Sequence, residues 1–276
     1  MNYLQITITD TSPELNEILI AHLEAYPFNG FEEGETQLTA YIGVSDYSEQ
    51  VAHVLQETAK EHQLSYTTEE LQEKNWNAQW ESDYQPVLVE DFCAVRATFH
   101  APITSVQYEI VITPKMSFGT GHHATTYMMM KQMQGLDFAQ KSVLDYGCGT
   151  GVLAILAQML QATTIDAVDI EDWAYANTVE NVAINSDEAI IKAYCGTIET
   201  VPKRSYEIIL ANINRNVLLD TMPDMAERLL KGGSLLLSGF LEQDIERIEK
   251  RAAEVGLQPQ KLLKREQWRC LLLSKN

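Results

Sequence analysis

The residues with the clearest chemical potential fall in two glycine-rich runs, SFGTGHHATT at 117–126 and LDYGCGTGVLAI at 144–155. In the second run an apolar stretch, a glycine turn and a helix-forming stretch follow one another, the order of a strand–loop–helix ligand cradle. Gly147, Gly149 and Gly151 let the backbone approach a ligand and turn tightly into the helix. The pattern is G-x-G-x-G, with Val152 where the dinucleotide fingerprint has its third glycine. Asp145, two positions before the loop, suits a cationic ligand better than a pyrophosphate. Asp169 ends the next strand, about 20 residues on, where a carboxylate accepts both hydroxyls of a ribose. Loop, preceding acid and second-strand acid in this order mark a site for S-adenosylmethionine rather than a nicotinamide cofactor.

Two further candidates accompany that loop. Asn212, in LANINRNV at the end of a fourth strand, arrives where a methyl group would emerge. The alternative for Asn212 is a cap on the following helix. His122 and His123 carry metal-ligating atoms, but adjacent side chains diverge and no third ligand stands out, so no metal is expected. The histidines are read instead as structural polar contacts.

These residues need a scaffold, and the sequence supplies two. In residues 1–70, YLQITIT, TQLTAYIGV and LSYTTEEL read as strands, with amphipathic helices after Ser12 and Ser48. The arrangement is an α+β unit of the ferredoxin-like kind, β-α-β-β-α-β, with one strand missing or weak. Residues 71–91 form a helical linker: Trp76, Trp80 and Tyr84 share one helical face, and Pro86 ends it. From residue 92 to 276, strands and helices alternate, which argues an α/β domain with a doubly wound sheet and helices on both faces. The last segment, GLQPQKLLKREQWRCLLLSK, reads as two strands without a helix, an antiparallel hairpin at the sheet edge. The methionines at 128–130 and Met133 read as gap-filling core.

The net charge is −19, unevenly spread. Residues 1–80 hold 14 acids against Lys60 and Lys74, a balance of −12; the remainder holds 25 acids and 18 bases, a balance of −7. Such a surface repels phosphates and steers basic partners, so neither nucleic acid nor membrane is expected as a direct partner. No apolar run approaches the roughly 18 residues of a membrane span. The four cysteines form no C-x-x-C pair, and a reduced cytoplasm is the expected setting.

MSFGTGHHATT, LDYGCGTGVLAI, AVDIED and LANI, in this order, resemble the ribosomal protein L11 methyltransferase family, as do NWNAQWESDYQPV and EQWRCLLLSK. The resemblance covers the second domain and the connector; the N-terminal domain is similar in size and pattern. It implies a Rossmann-like, mixed seven-stranded methyltransferase sheet and S-adenosylmethionine-dependent N-methylation of a basic ribosomal protein by a monomeric enzyme. Carried over by position, it implies cofactor contacts from Thr126, Gly147, Gly149, Asp169 and Asn212. Phe118, Gly119, Thr120 and Gly121 then form a flap near the methionine moiety and the entering amine, with Phe118, Thr120 and Asn212 at the reacting atoms. Ala124 stands where many relatives have proline. Asn212-Ile213-Asn214 lacks the paired prolines of amide and adenine methyltransferases.

Overall fold

The computed structural model describes residues 3–71, 84–114, 121–185 and 190–276. The chain divides into two compact units, Met1–Asp83 and Tyr84–Asn276.

The first unit runs β1 (Tyr3–Thr9), α1 (Pro13–Leu23), β2 (Phe28–Glu33), β3 (Gln37–Gly43), α2 (Glu49–Glu61) and β4 (Ser65–Leu71). Its antiparallel sheet has the order β2-β3-β1-β4, which is the ferredoxin-like arrangement. Both helices start where the caps were read: Ser12 Oγ accepts from Leu15 N at 3.3 Å, and Ser48 Oγ from Val51 N at 3.4 Å. Alternate residues Ile6 and Ile8 of β1 and Leu38, Ala40 and Ile42 of β3 pack with Leu19, Leu23 and Leu55 of the helices. The strand the sequence concealed is β2. Its residues, FNGFEE, do not alternate, and its register with β3 shifts between Phe28 and Gly30.

The second unit opens with a three-stranded sheet, β5 (Val87–Val89), β6 (Cys93–Ala97) and β7 (Tyr108–Ile112), in that spatial order. Because β5 pairs with β6, this unit begins at Tyr84, ahead of the boundary read at residue 92. Trp76 and Trp80 of the expected helical linker lie outside the described residues.

After β7 come α3 (Ala124–Met133), β8 (Ser142–Tyr146), α4 (Val152–Met159), β9 (Thr164–Asp169), α5 (Asp172–Asn185), β10 (Ile191–Cys195), β11 (Tyr206–Asn212), α6 (Arg215–Arg228), β12 (Leu229–Leu241), α7 (Ile245–Glu254), β13 (Leu257–Arg265) and β14 (Trp268–Lys275). The seven-stranded sheet has the order β10-β9-β8-β11-β12-β14-β13, parallel except for β14, which runs antiparallel to both neighbours. The hairpin is therefore at the edge, with β13 outermost. Ile208 and Leu210 of β11 face a core layer with α3 and α4, and Ile209 and Ala211 face one with α6 and α7. Burial on both faces is why these strands read as unbroken apolar runs. Met128, Met129, Met130 and Met133 are buried in the first layer, as expected of core. Chain order reverses between β8 and β11, so the carboxyl ends of β8, β9 and β11 converge at the switch point.

Candidate functional site

That convergence surrounds a cavity of about 500 Å³ whose walls include Thr126, Gly147, Gly149, Asp169 and Asn212. Five positions dispersed from 126 to 212 in sequence thus meet in one place. Phe118, Gly119 and Thr120 lie outside the described residues. Of the flap run, Gly121 adopts φ +91° beside Val87 of β5.

The glycine loop is shaped by its neighbours. Gly147 N and Cys148 N both donate to Val168 O of β9, at 2.8 and 3.1 Å. Gly147 adopts φ +77°, and a Cβ there would collide with the Ile213 side chain. Gly149 N donates to Asp169 Oδ2 at 2.9 Å, while Glu171 N donates to Oδ1 at 3.1 Å. Each carboxylate oxygen keeps a second acceptor site, so Asp169 still has one position on each oxygen for a ribose hydroxyl.

Asp145, read from the sequence as suited to a cationic ligand, does not line the cavity. It is fully buried and absent from the cavity wall; its Oδ2 accepts from Ala154 N in the first turn of α4 at 3.1 Å. Burial, with a smaller contribution from the Asp169 charge, pushes its carboxyl up to about 7. The strand alternation that places Tyr146 on the wall turns the preceding residue inward.

Asn212 is not a helix cap. Asn214 takes that role, its Oδ1 accepting from Val217 N at 3.1 Å. Asn212 is buried, and its Nδ2 donates to Thr126 Oγ1 at 3.2 Å. Among the described residues, its Oδ1 accepts no hydrogen bond. A buried acceptor left open on a cavity wall costs free energy unless a ligand donor reaches it.

The two histidines diverge. His122 Nε2 lies 2.8 Å from Gln85 O, whereas His123 caps α3, its Nδ1 accepting from Thr125 N at 3.3 Å. The His123 ring also meets the Trp268 ring edge-on at 4.7 Å, and both line the cavity. Among the described residues, no three His, Cys, Asp or Glu side chains cluster as metal ligands.

Sequence reasoning gave no site role to Tyr146, Trp173, Gly239 or Trp268, all of which line the cavity. Gly239, φ +97°, was findable as a glycine at a strand end; a Cβ there would overlap the Ile213 backbone. Trp173 and Trp268 had no local signal, since only the folded sheet brings them to the switch point.

Strand order, the antiparallel β14 and a ligand cavity at the carboxyl ends of β8, β9 and β11 define a class I methyltransferase fold. The family model described as ribosomal protein L11 methyltransferase matches residues 4–276. A ribosomal protein L11 methyltransferase of Porphyromonas gingivalis is 41% identical over 258 residues, covering 92% of this chain and 89% of that protein. One from Chlorobaculum parvum is 35% identical over 283 residues, covering 99% of this chain and 96% of that protein. The crystal structure of a ribosomal protein L11 methylase from Lactobacillus delbrueckii subsp. bulgaricus aligns with a TM-score of 0.64 at 27% identity, covering 70% of this chain and 99% of that one. The chain belongs to the ribosomal protein L11 methyltransferase family.

Proposed function

We propose that the cavity binds S-adenosylmethionine and that Asn212 receives and aims an amine of ribosomal protein L11 for methylation. The protein is a methyltransferase by family, and its substrate reading follows from its relatives. The observation that carries the site assignment is the open, buried Oδ1 of Asn212 beside Thr126 on the cavity wall. When bound, S-adenosylmethionine supplies an electrophilic methyl group on a sulfonium.

The residues present fit that ligand. Asp169 retains acceptor positions for the ribose, and Gly147 and Gly149 bring backbone to the wall without side-chain bulk. The task left to the chain is to receive a neutral amine and aim it. A lysine at pH 7 lies about 3.4 units below its pKa, so deprotonation costs roughly 4.6 kcal/mol. Partial burial beside a cationic sulfonium disfavours the ammonium and lowers that cost. Asn212 Oδ1 accepts an amine N–H and directs the lone pair; the Thr126 hydroxyl holds the amide so that this oxygen, and not the NH₂ group, faces the cavity. Alignment of this kind supplies much of the catalysis in an in-line displacement.

The first 70 residues, with their −12 charge, recruit the basic substrate, and residues 84–276 carry the transfer. The enzyme works as a cytoplasmic monomer, without direct nucleic-acid contact. Incubating it with ribosomal protein L11 and methyl-labelled S-adenosylmethionine, then mapping the label by mass spectrometry, tests the proposal. Label on lysine or N-terminal amines is expected; no label on any amine rejects it.

A further inference from the structure

Helix α5 carries asparagine at every fourth position, Asn177, Asn181 and Asn185. Their amides meet the outer edge of β7 as a neighbouring strand would. Asn185 Oδ1 accepts from Val111 N at 2.7 Å and its Nδ2 donates to Val111 O; Asn181 Oδ1 accepts from Thr113 N at 2.9 Å, and Asn177 Nδ2 donates to Thr113 O at 3.2 Å. The match is geometric. Four helical residues rise about 6 Å, and two strand residues about 6.6 Å, so i, i+4 amides reach alternate peptides of an edge strand.

Asn181 does one thing more. Its Nδ2 donates to Thr150 O, in the glycine loop, at 2.9 Å, while Thr178 Oγ1 donates to Gly149 O at 2.9 Å. Asn181 is fully buried, and both ends of its amide are engaged. On the opposite edge of the small sheet, His122 reaches Gln85 O and Gly121 packs on Val87, immediately before the helix that carries Thr126. The three-stranded sheet therefore touches both walls of the cavity, the glycine loop through Asn181 and the Thr126 wall through residues 121–122.

We propose that Asn181 is a positioning residue for methyl transfer, its one amide clamping the Thr150 carbonyl of the glycine loop to Thr113 at the edge of the three-stranded sheet. It holds the loop in its ligand-ready shape before any ligand arrives. The effect on S-adenosylmethionine rests on the proposed function; the effect on the loop does not.

The test compares three variants of the full chain. Asn181→Ala breaks both bonds, Asn181→Asp keeps the acceptor for Thr113 N but loses the donor to Thr150 O, and Asn185→Ala removes a ladder contact that does not touch the loop. Hydrogen exchange on the ligand-free protein should show the amides of residues 149–152 exchanging at least about tenfold faster in both Asn181 variants and unchanged in Asn185→Ala. Thr113 N–H should lose protection in Asn181→Ala and keep it in Asn181→Asp. Should Asn181→Ala fail to fold, Asn181→Asp still decides the loop result. By calorimetry, the Kd for S-adenosylhomocysteine should rise about tenfold in the Asn181 variants and less than twofold in Asn185→Ala. Loop amides as protected in Asn181→Asp as in the wild type, or equal Kd shifts in Asn181→Asp and Asn185→Ala, overturn the clamp. A wild type that binds no S-adenosylhomocysteine overturns the cofactor reading instead, and the exchange data still judge the clamp.

Discussion

Asn212 Nδ2 donates to Thr126 Oγ1 at 3.2 Å, joining the end of β11 to the first turn of α3 across 86 residues of sequence. The bond fixes which end of the Asn212 amide faces the cavity, and so which chemistry that wall offers. Replacing Asn212 with Ala should reduce single-turnover rate on the order of 100-fold, the size of a misaimed nucleophile. Thr126→Val keeps the shape but frees the amide to rotate, and should cost about tenfold, the equivalent of one hydrogen bond. Thermal melts should show both variants folded. Rates within twofold of wild type would remove Asn212 from the reacting centre.

The cofactor wall is tested by Gly147 and Asp169. Gly147→Val places a side chain against Ile213 at a left-handed backbone position and should abolish S-adenosylmethionine binding. Asp169→Ala removes the ribose acceptors and also releases Gly149 N, and should weaken binding by roughly 1–3 kcal/mol. Calorimetry reads both. Wild-type affinity in the pair would contradict the assignment.

Asp145 predicts a pH dependence of stability. Its carboxyl titrates at 3.8 when unperturbed and at about 7 in the fold. Between those values the native state holds a proton that the unfolded state lacks. Its contribution is therefore full below about pH 4 and is lost as pH rises through about 7, by at most about 4 kcal/mol. Asp145→Asn, which stays neutral and can still accept from Ala154 N, should give a flatter Tm profile over that window. Parallel profiles for the two proteins would show that Asp145 is ionised in the native state throughout.

If the acidic first 70 residues recruit a basic protein, KM for ribosomal protein L11 should rise with salt. Screening shortens the electrostatic reach to about 8 Å at physiological ionic strength. The kcat, set inside the cavity, should change much less. A salt-independent KM would assign the −12 charge to solubility.

How much of this was legible in the sequence depended on the range of the interaction. The glycine loop, Asp169 and Asn212 could be placed at one end of the sheet because strand–turn–helix order alone puts them at strand ends. The strand β2 was hidden because FNGFEE has no period-two pattern to report, and β5 because it is three residues long. Asp145 was misread because sequence shows an acid near a loop but not which face of β8 it takes. The asparagines of ANTVENVAIN carry no sequence pattern of their own that marks a contact with a strand edge. Their partners at Val111 and Thr113 are 64 to 74 residues away, and nothing local announces them.

The position of β14 has a consequence for synthesis. It is the last strand of the sheet to leave the ribosome, yet it lies inside the sheet, between β12 and β13. Until Trp268–Lys275 emerges, β12 offers an unpaired edge through Leu235, Leu236 and Leu237, and the cavity lacks the Trp268 wall. Until β14 pairs, that apolar edge favours edge-to-edge association. Chains stopped just before Trp268 should accumulate in the insoluble fraction, where full-length chains stay in solution.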